Sequence, residues 1–394
     1  MFIRFFSKFQ KKLNQLSYNI KISYDVDDSL SLRSTSPDID GVSNSNYTYS
    51  TLNTGGNSSL TSIDEQIIIN GITYSNDMKK LISCNRDIVN GDIVIPEGVE
   101  CIEADAFAWT FIRSVKLPSS LQVIGPRAFT HCYNLKYIDF GESEVKMLEE
   151  DTFKECLSIE SLEIPKSVSE ICTGCFENCD ELKTVIFHEG IRNIKSNAFW
   201  PDMKIKKINI PNSIECIGRY NFANIQYVSS DGYVEGLATM CMETFGLTEL
   251  KIKENTIYIP YITNNTNCSR FHYAISEIEK YMKNTREKFS YVDLIKSVEY
   301  DGIRIAHAMF IYEKTDNLEV FNFLKKNSDI LLNVYLLRTE KVELLIKLIN
   351  LDMFSEKQLM DILHTEICNS SIPLKAIVLD KLKEQSFEPS KFNI

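Results

Sequence analysis

Between residues 93 and 228 the large apolar residues recur with a period of about 23, and beyond residue 269 they recur at spacings of three and four. The long period is set by Phe107, Phe129, Phe153, Phe176, Phe199 and Phe222, each near the end of a similar segment. A fixed period of this size marks a solenoid, whose units cannot bury their apolar faces alone and stack on one another instead. Within a unit the apolar positions are the first, fourth and sixth, as in Leu135, Ile138 and Phe140 or Ile205, Ile208 and Ile210. That spacing predicts a bend followed by a short strand, because alternate strand residues face opposite sides. Proline comes next, at Pro96, Pro118, Pro165 and Pro211. Lacking an N–H, it ends the strand and turns the chain toward the outer wall, where a second apolar pair such as Val168 and Ile171 follows. The closing small residue and phenylalanine, as in Ala128-Phe129 or Ala198-Phe199, put one ring per turn into the core.

The shorter spacing, as in Ile275, Ile278, Tyr281 and Met282 or Leu344, Leu345, Leu348 and Ile349, predicts amphipathic helices. They are expected near 269–288, 301–315, 317–326, 328–338, 340–350, 355–369 and 373–385, with Ser355 and Gln358 as a capping box. Between the two regimes, the β-branched run from Thr248 to Thr263 reads as a cap on the array or a hairpin between domains. Upstream, Phe2, Phe5, Phe6, Phe9, Leu13 and Leu16 share one helical side with Arg4, Lys8, Lys11 and Lys12 nearby, a short basic amphipathic helix suited to a membrane interface or a partner. Residues 24–63, rich in Ser, Asn, Thr, Asp and Gly, read as a flexible linker.

The segments Leu121-Gln-Val-Ile-Gly-Pro-Arg-Ala-Phe-Thr-His-Cys132 and Ile214-Glu-Cys-Ile-Gly-Arg-Tyr-Asn-Phe222 carry most of a recognisable unit. On them the chain resembles the BspA-like branch of the leucine-rich repeats, over roughly residues 67–228. The stretch GITYSNDMKKLISC looks like the hairpin that opens such arrays. Gly141 and His188 depart from the pattern where proline is expected, and Asn221 where alanine is. The resemblance implies a curved solenoid used for binding rather than catalysis. VELLIKLI and LKAIVLDKL, about 33 residues apart, resemble degenerate ankyrin-like hairpins. The expected architecture is α+β: a basic helix at 1–23, a linker at 24–63, a leucine-rich-repeat solenoid at 64–228, a capping β segment at 229–266 and an α-helical, repeat-like domain at 267–394.

Composition narrows the partners. The 394 residues have room for two or three domains and are 44% hydrophobic, with a net charge of −11 and a pI near 5.2. No basic stripe is present to contact phosphates, so a nucleic-acid partner is not expected. No run of about 18 apolar residues exists to span a membrane. The N-terminus lacks the apolar core of a signal peptide, so the chain reads as cytoplasmic. The alternative is peripheral membrane contact through residues 1–20, or a cell-surface position reached by non-classical export.

The candidate chemistry dissolves into the repeat. Among eleven cysteines, Cys172, Cys175 and Cys179 have a spacing that suggests zinc. Yet Cys175 holds the small position of Ala106, Ala128 and Ala198, Cys179 is equivalent to Cys132 and Cys156, and Cys172 stands where Gly125 and Gly218 sit. Buried free cysteine is a small hydrophobe, so no metal or other cofactor is expected. His131, His188, His272, His307 and His364 belong to no catalytic motif, and the fifteen glycines form no nucleotide or nucleophile loop. The chain reads as non-enzymatic.

If the first, fourth and sixth positions point inward, the residues between them face outward in two rows. One is Ser114, Tyr137, Ser161, Thr184 and Lys207; the other is Val94, Lys116, Asp139, Glu163, Ile186 and Asn209. Of these, Tyr137, Asp139, Glu163, Thr184, Ile186, Lys207 and Asn209 are the candidate partner-binding residues of the concave face. The function expected is a protein-interaction scaffold with a repeat surface and a helical surface. An adhesin-like protein held at a membrane by its basic N-terminal helix is the alternative.

Overall fold

The computed structural model describes residues 66–386 except 88, 202–203, 245, 261–268, 286–288, 299–300 and 338–340. The expected basic helix at 1–23 and linker at 24–63 lie outside them. From Lys80 to Ile252 the chain winds as a β-solenoid of about eight turns, with strands on two walls. The first wall is formed by Asn90–Val94, Phe111–Lys116, Tyr137–Asp139, Ser161–Glu163, Thr184–Ile186, Lys207–Ile210, Tyr227–Ser230 and Leu247–Ile252. The second is formed by shorter pieces, Cys101–Ile102, Val123–Ile124, Met147–Leu148, Glu170–Ile171, Asn193–Ile194 and Cys216–Ile217. Paired strands within the coils are parallel, so one unit's residue lies beside its equivalent in the next: Ser114 beside Tyr137, Glu163 beside Ile186, Ile171 beside Ile194.

The phenylalanines occupy the third side. Phe107, Phe129, Phe153, Phe176, Phe199 and Phe222 form one continuous stack, with ring centroids 4.9–5.3 Å apart and planes within 18°. All six are fully buried. Backbone bonds carry the same register: Phe107 N–H donates to the Ala128 carbonyl at 2.7 Å and Phe153 N–H to that of Cys175 at 2.8 Å. The turn before each ring needs one left-handed residue, with φ of 54–67° at Asp105, Arg127, Asp151, Gly174, Asn197 and Tyr220. The tight corner thus recurs whether or not glycine is present.

Antiparallel pairing closes both ends. Ile72–Tyr74 pairs with Ile67–Ile69 and with Lys80–Cys84, the hairpin expected at the start. At the far end the coil continues past residue 228. Helix Leu237–Met242 stands where a second-wall strand would, Leu247–Ile252 adds a last parallel rung, and Asn255–Pro260 folds back on it. Gly236, at φ 81°, begins that helix so close to the previous coil that a Cβ would lie 1.9 Å from the Ile217 carbonyl oxygen. Helices then cover the end. Ser269–Lys283 packs on Leu237–Met242, and Tyr291–Lys296 packs on Asn255–Pro260. An open solenoid end would otherwise expose its core.

The helical region continues with Asp301–Thr315, Leu318–Lys326, Ser328–Leu336 (ending in a π-helical turn), Val342–Asn350, Glu356–Leu363, Glu366–Ser370 and Ile372–Ser386. The expected stretch 355–369 is two helices, because Thr365 caps a new one by accepting from the Cys368 N–H. Ser355 does form a capping box with Gln358. The six-residue helix Tyr291–Lys296 shows too few turns for a helical period to be visible in sequence.

Candidate functional site

The first wall shows why alternate residues divide into core and display. Leu135 and Phe140 are buried while Tyr137 is 65% exposed, and Val185 is buried while Ile186 is 46% exposed. Both predicted rows fall on this wall, in register within each of its three ladders. Tyr137 lies beside Ser114, Asp139 beside Lys116, Thr184 beside Ser161 and Ile186 beside Glu163. Lys207 and Asn209 extend the rows to Tyr227 and Ser229, whose Oγ donates to Asn209 Oδ1 at 2.7 Å. The rows also run on through Glu249 and Lys251 to Tyr258 and Thr256. Sequence reasoning missed these six residues, from Tyr227 and Ser229 onward, because the units it aligns stop at Phe222. At the opposite end, Asp92 accepts from Ser114 Oγ at 2.7 Å, and the Arg113 guanidinium beside it, with that hydroxyl, draws its carboxyl down to about 2.

A groove of about 650 Å³ opens beside this wall. It lies where the first-wall ladder stops between Tyr137–Asp139 and Ser161–Glu163, and its lining includes Asp139, Glu142, Ser143, Lys146, Glu163 and His188. One extra residue lies in the coil beside it. The unit 135–158 is longer by one than 112–134 and 159–181, and the extra residue falls in the turn between Phe140 and Leu148. The two departures from proline shape the same place. Gly141, unlike proline, has an N–H, which donates to Asp139 Oδ1 at 3.0 Å. His188 Nε2 meets Glu163 Oε1 at 2.7 Å. Lys146 bonds Glu144 at 2.7 Å and holds that carboxyl below its usual range.

The cysteines behave as the repeat requires. Cys132, Cys156 and Cys179 are buried, and their thiols donate to the carbonyls of Phe107, Phe129 and Phe153 at 3.1, 3.2 and 3.4 Å. Burial pushes the Cys172 thiol up to about 11 and raises that of Cys175 well above its ordinary value, which opposes the thiolate a metal needs. Among the described residues no group of His, Cys, Asp or Glu is arranged to hold a metal ion, and no helix is long and apolar enough to cross a membrane. His131 is half-buried and stacks on Trp109 with centroids 3.8 Å apart. His307 is buried inside a helix with Nδ1 unpartnered, and burial lowers it to about 4. His131 Nδ1 lies 2.9 Å from the Thr130 hydroxyl and its Nε2 lies 3.4 Å from Glu155. The basic segment 1–20 lies outside the described residues.

Residues 100–229 and 146–269 match the family described as BspA type leucine rich repeat region, in six copies. The array of this chain is therefore a BspA-type leucine-rich-repeat region, set in the β-solenoid described above. The matched stretch stops where the helices begin, and the ankyrin-like reading of VELLIKLI and LKAIVLDKL finds no support from it. Among curated proteins none matches the sequence. Similar solved structures include a leucine-rich repeat protein from Bacteroides ovatus, 21% identical, with a TM-score of 0.37 over 42% of this chain and 45% of that one. Another, from Bacteroides capillosus, is 22% identical, with a TM-score of 0.28 over 31% of this chain and 98% of that one. A leucine rich cell surface protein from Faecalibacterium prausnitzii is 19% identical, with a TM-score of 0.35 over 52% and 62%. The chain spans about half the length of the first of these.

Proposed function

We propose that this chain is a protein-binding leucine-rich-repeat module whose first wall is the surface offered to a protein partner. One observation carries the reading. Large apolar and aromatic side chains, Val94 at 70%, Tyr137 at 65% and Ile186 at 46% exposure, stand in the open on strands whose alternate residues are locked in the core. A rigid scaffold holds such anchors at little entropic cost, and a few buried aromatic or aliphatic anchors supply most of the affinity at protein interfaces. Asp139, Glu163, Thr184, Lys207 and Asn209, interspersed among them, supply the polar contacts that set register and specificity. Binding, not turnover, is the work such a surface does.

The test is affinity capture with mass spectrometry from source-cell lysate, comparing the full chain with a Tyr137→Ala, Ile186→Ala, Lys207→Ala variant. These three side chains are exposed, so the variant keeps its fold. Loss of the same captured protein from the variant, with unchanged melting, supports the reading. Equal recovery by both chains sinks it.

A further inference from the structure

The turn that builds the groove is made differently in the coils around it. At Glu97 and Glu189 the turn carboxylate is saturated by the next coil. Glu97 accepts from Ser119 N–H at 3.1 Å and from its hydroxyl at 3.0 Å. Glu189 accepts from the N–H groups of Asn212 and Ser213 at 3.1 and 3.0 Å. The turn serines are satisfied as well: Ser120 Oγ accepts from Gly98 N–H and donates to the Val99 carbonyl, and Ser213 Oγ accepts from Gly190 N–H. In the long coil the same positions are empty-handed. Glu142 makes no hydrogen bond or ion pair among the described residues. Ser143 is 4% exposed and its Oγ has no partner, and neither has that of Ser167, also in the lining. A buried hydroxyl without a partner is a cost that native structures keep for a reason.

Charge says what would fit. Asp139, Glu142, Glu144 and Glu163 line the groove; Lys146 covers Glu144 and His188 faces Glu163. Asp139 and Glu142 have no cation, and Lys166, the lining's remaining basic residue, leaves the acids in excess. The carboxylates are spread along the groove, and no set of them is arranged to hold a metal ion. An extended organic cation matches that spacing, and the volume lies within the roughly 300–1,000 Å³ of ligand pockets.

We propose that this groove anchors a basic side chain, arginine foremost, from an extended segment of the protein partner, held by Asp139 and Glu142 with the Ser143 hydroxyl as a further acceptor. A guanidinium presents several donors in one plane and suits two carboxylates and a hydroxyl better than a point charge does. The proposal rests on the first wall being the partner surface, and it names the chemistry that surface selects.

The experiment is saturation-transfer NMR on the full chain with blocked pentapeptides, Gly-Ser-X-Ser-Gly, in which X is arginine, lysine, citrulline or glutamate. Arginine should bind in the millimolar range, lysine somewhat more weakly, and citrulline and glutamate at least tenfold more weakly. Asp139→Asn with Glu142→Gln should weaken the arginine peptide about tenfold and Ser143→Ala about threefold. Neutralising two exposed helical-region acids, Glu343→Gln with Asp361→Asn, should change nothing. Citrulline binding as well as arginine, the control variant losing as much as the groove variant, or no binding of any peptide to the wild-type chain overturns the proposal. Should that happen while the first-wall variant still loses its partner, only the groove assignment falls.

Discussion

In the solenoid six copies of one position stack ring on ring in five pairs; the described helices carry no such stack. Phe153 touches the rings of Phe129 and Phe176 and is itself touched edge-on by Phe140, so a single residue serves three coils. His307 and Leu348 are buried on helices Asp301–Thr315 and Val342–Asn350, which pack mainly on other helices. The difference teaches where each region is vulnerable. Stability in the array is a chain of nearest-neighbour terms, so damage spreads along the axis. Among the helices it stays local.

The largest expected effect tests that contrast. Phe153→Ala should destabilise the array by roughly 3–5 kcal/mol, the cost of a large core truncation. Hydrogen exchange should then rise in the strands Tyr137–Asp139 and Ser161–Glu163 on either side while helix Ile372–Ser386 keeps its protection. A near-neutral melt would break the picture of a continuous ring stack.

A smaller effect belongs to the helices alone. Burial holds folded His307 near 4, against 6.5 for a free imidazole, so the unfolded chain takes up the proton first. The residue costs nothing above about pH 6.5; from there down to about pH 4 it withdraws roughly 3 kcal/mol of stability. The stability difference between wild type and His307→Phe, measured by denaturant at pH 7 and pH 4, should shift by about that amount in favour of the variant. A difference independent of pH would show that the imidazole is not shielded. Ser355→Ala, which removes one cap, should cost about 1 kcal/mol and leave the solenoid's exchange unchanged.

Legibility followed the same division. The coil, its register and the sorting of Tyr137 from Leu135 could be read because every unit repeats the same test of the pattern. Cys172, Cys175 and Cys179 could be read as repeat positions for the same reason. The last rungs, through Tyr227 and Lys251, could not, since helix Leu237–Met242 replaces the second-wall strand there and breaks the repeat's pattern. The groove left a trace in sequence, an extra residue and two missing prolines, but its meaning needed the unpartnered Ser143 and the saturated turns at Glu97 and Glu189. Helices with a long apolar face were visible; the break at Thr365 and the short helix Tyr291–Lys296 depend on a single cap and on packing against Asn255–Pro260.

Hydroxyl-radical footprinting of the chain with its captured partner puts the two regions in direct competition. Tyr137, Ile186 and Tyr227 on the first wall, and Met360, Leu379 and Ile372 on the helices, are all exposed and oxidisable in the free protein. Protection of the first-wall set with the helical set unchanged is the predicted result. Protection of Met360, Leu379 and Ile372 with Tyr137 and Ile186 still fully oxidised would contradict it.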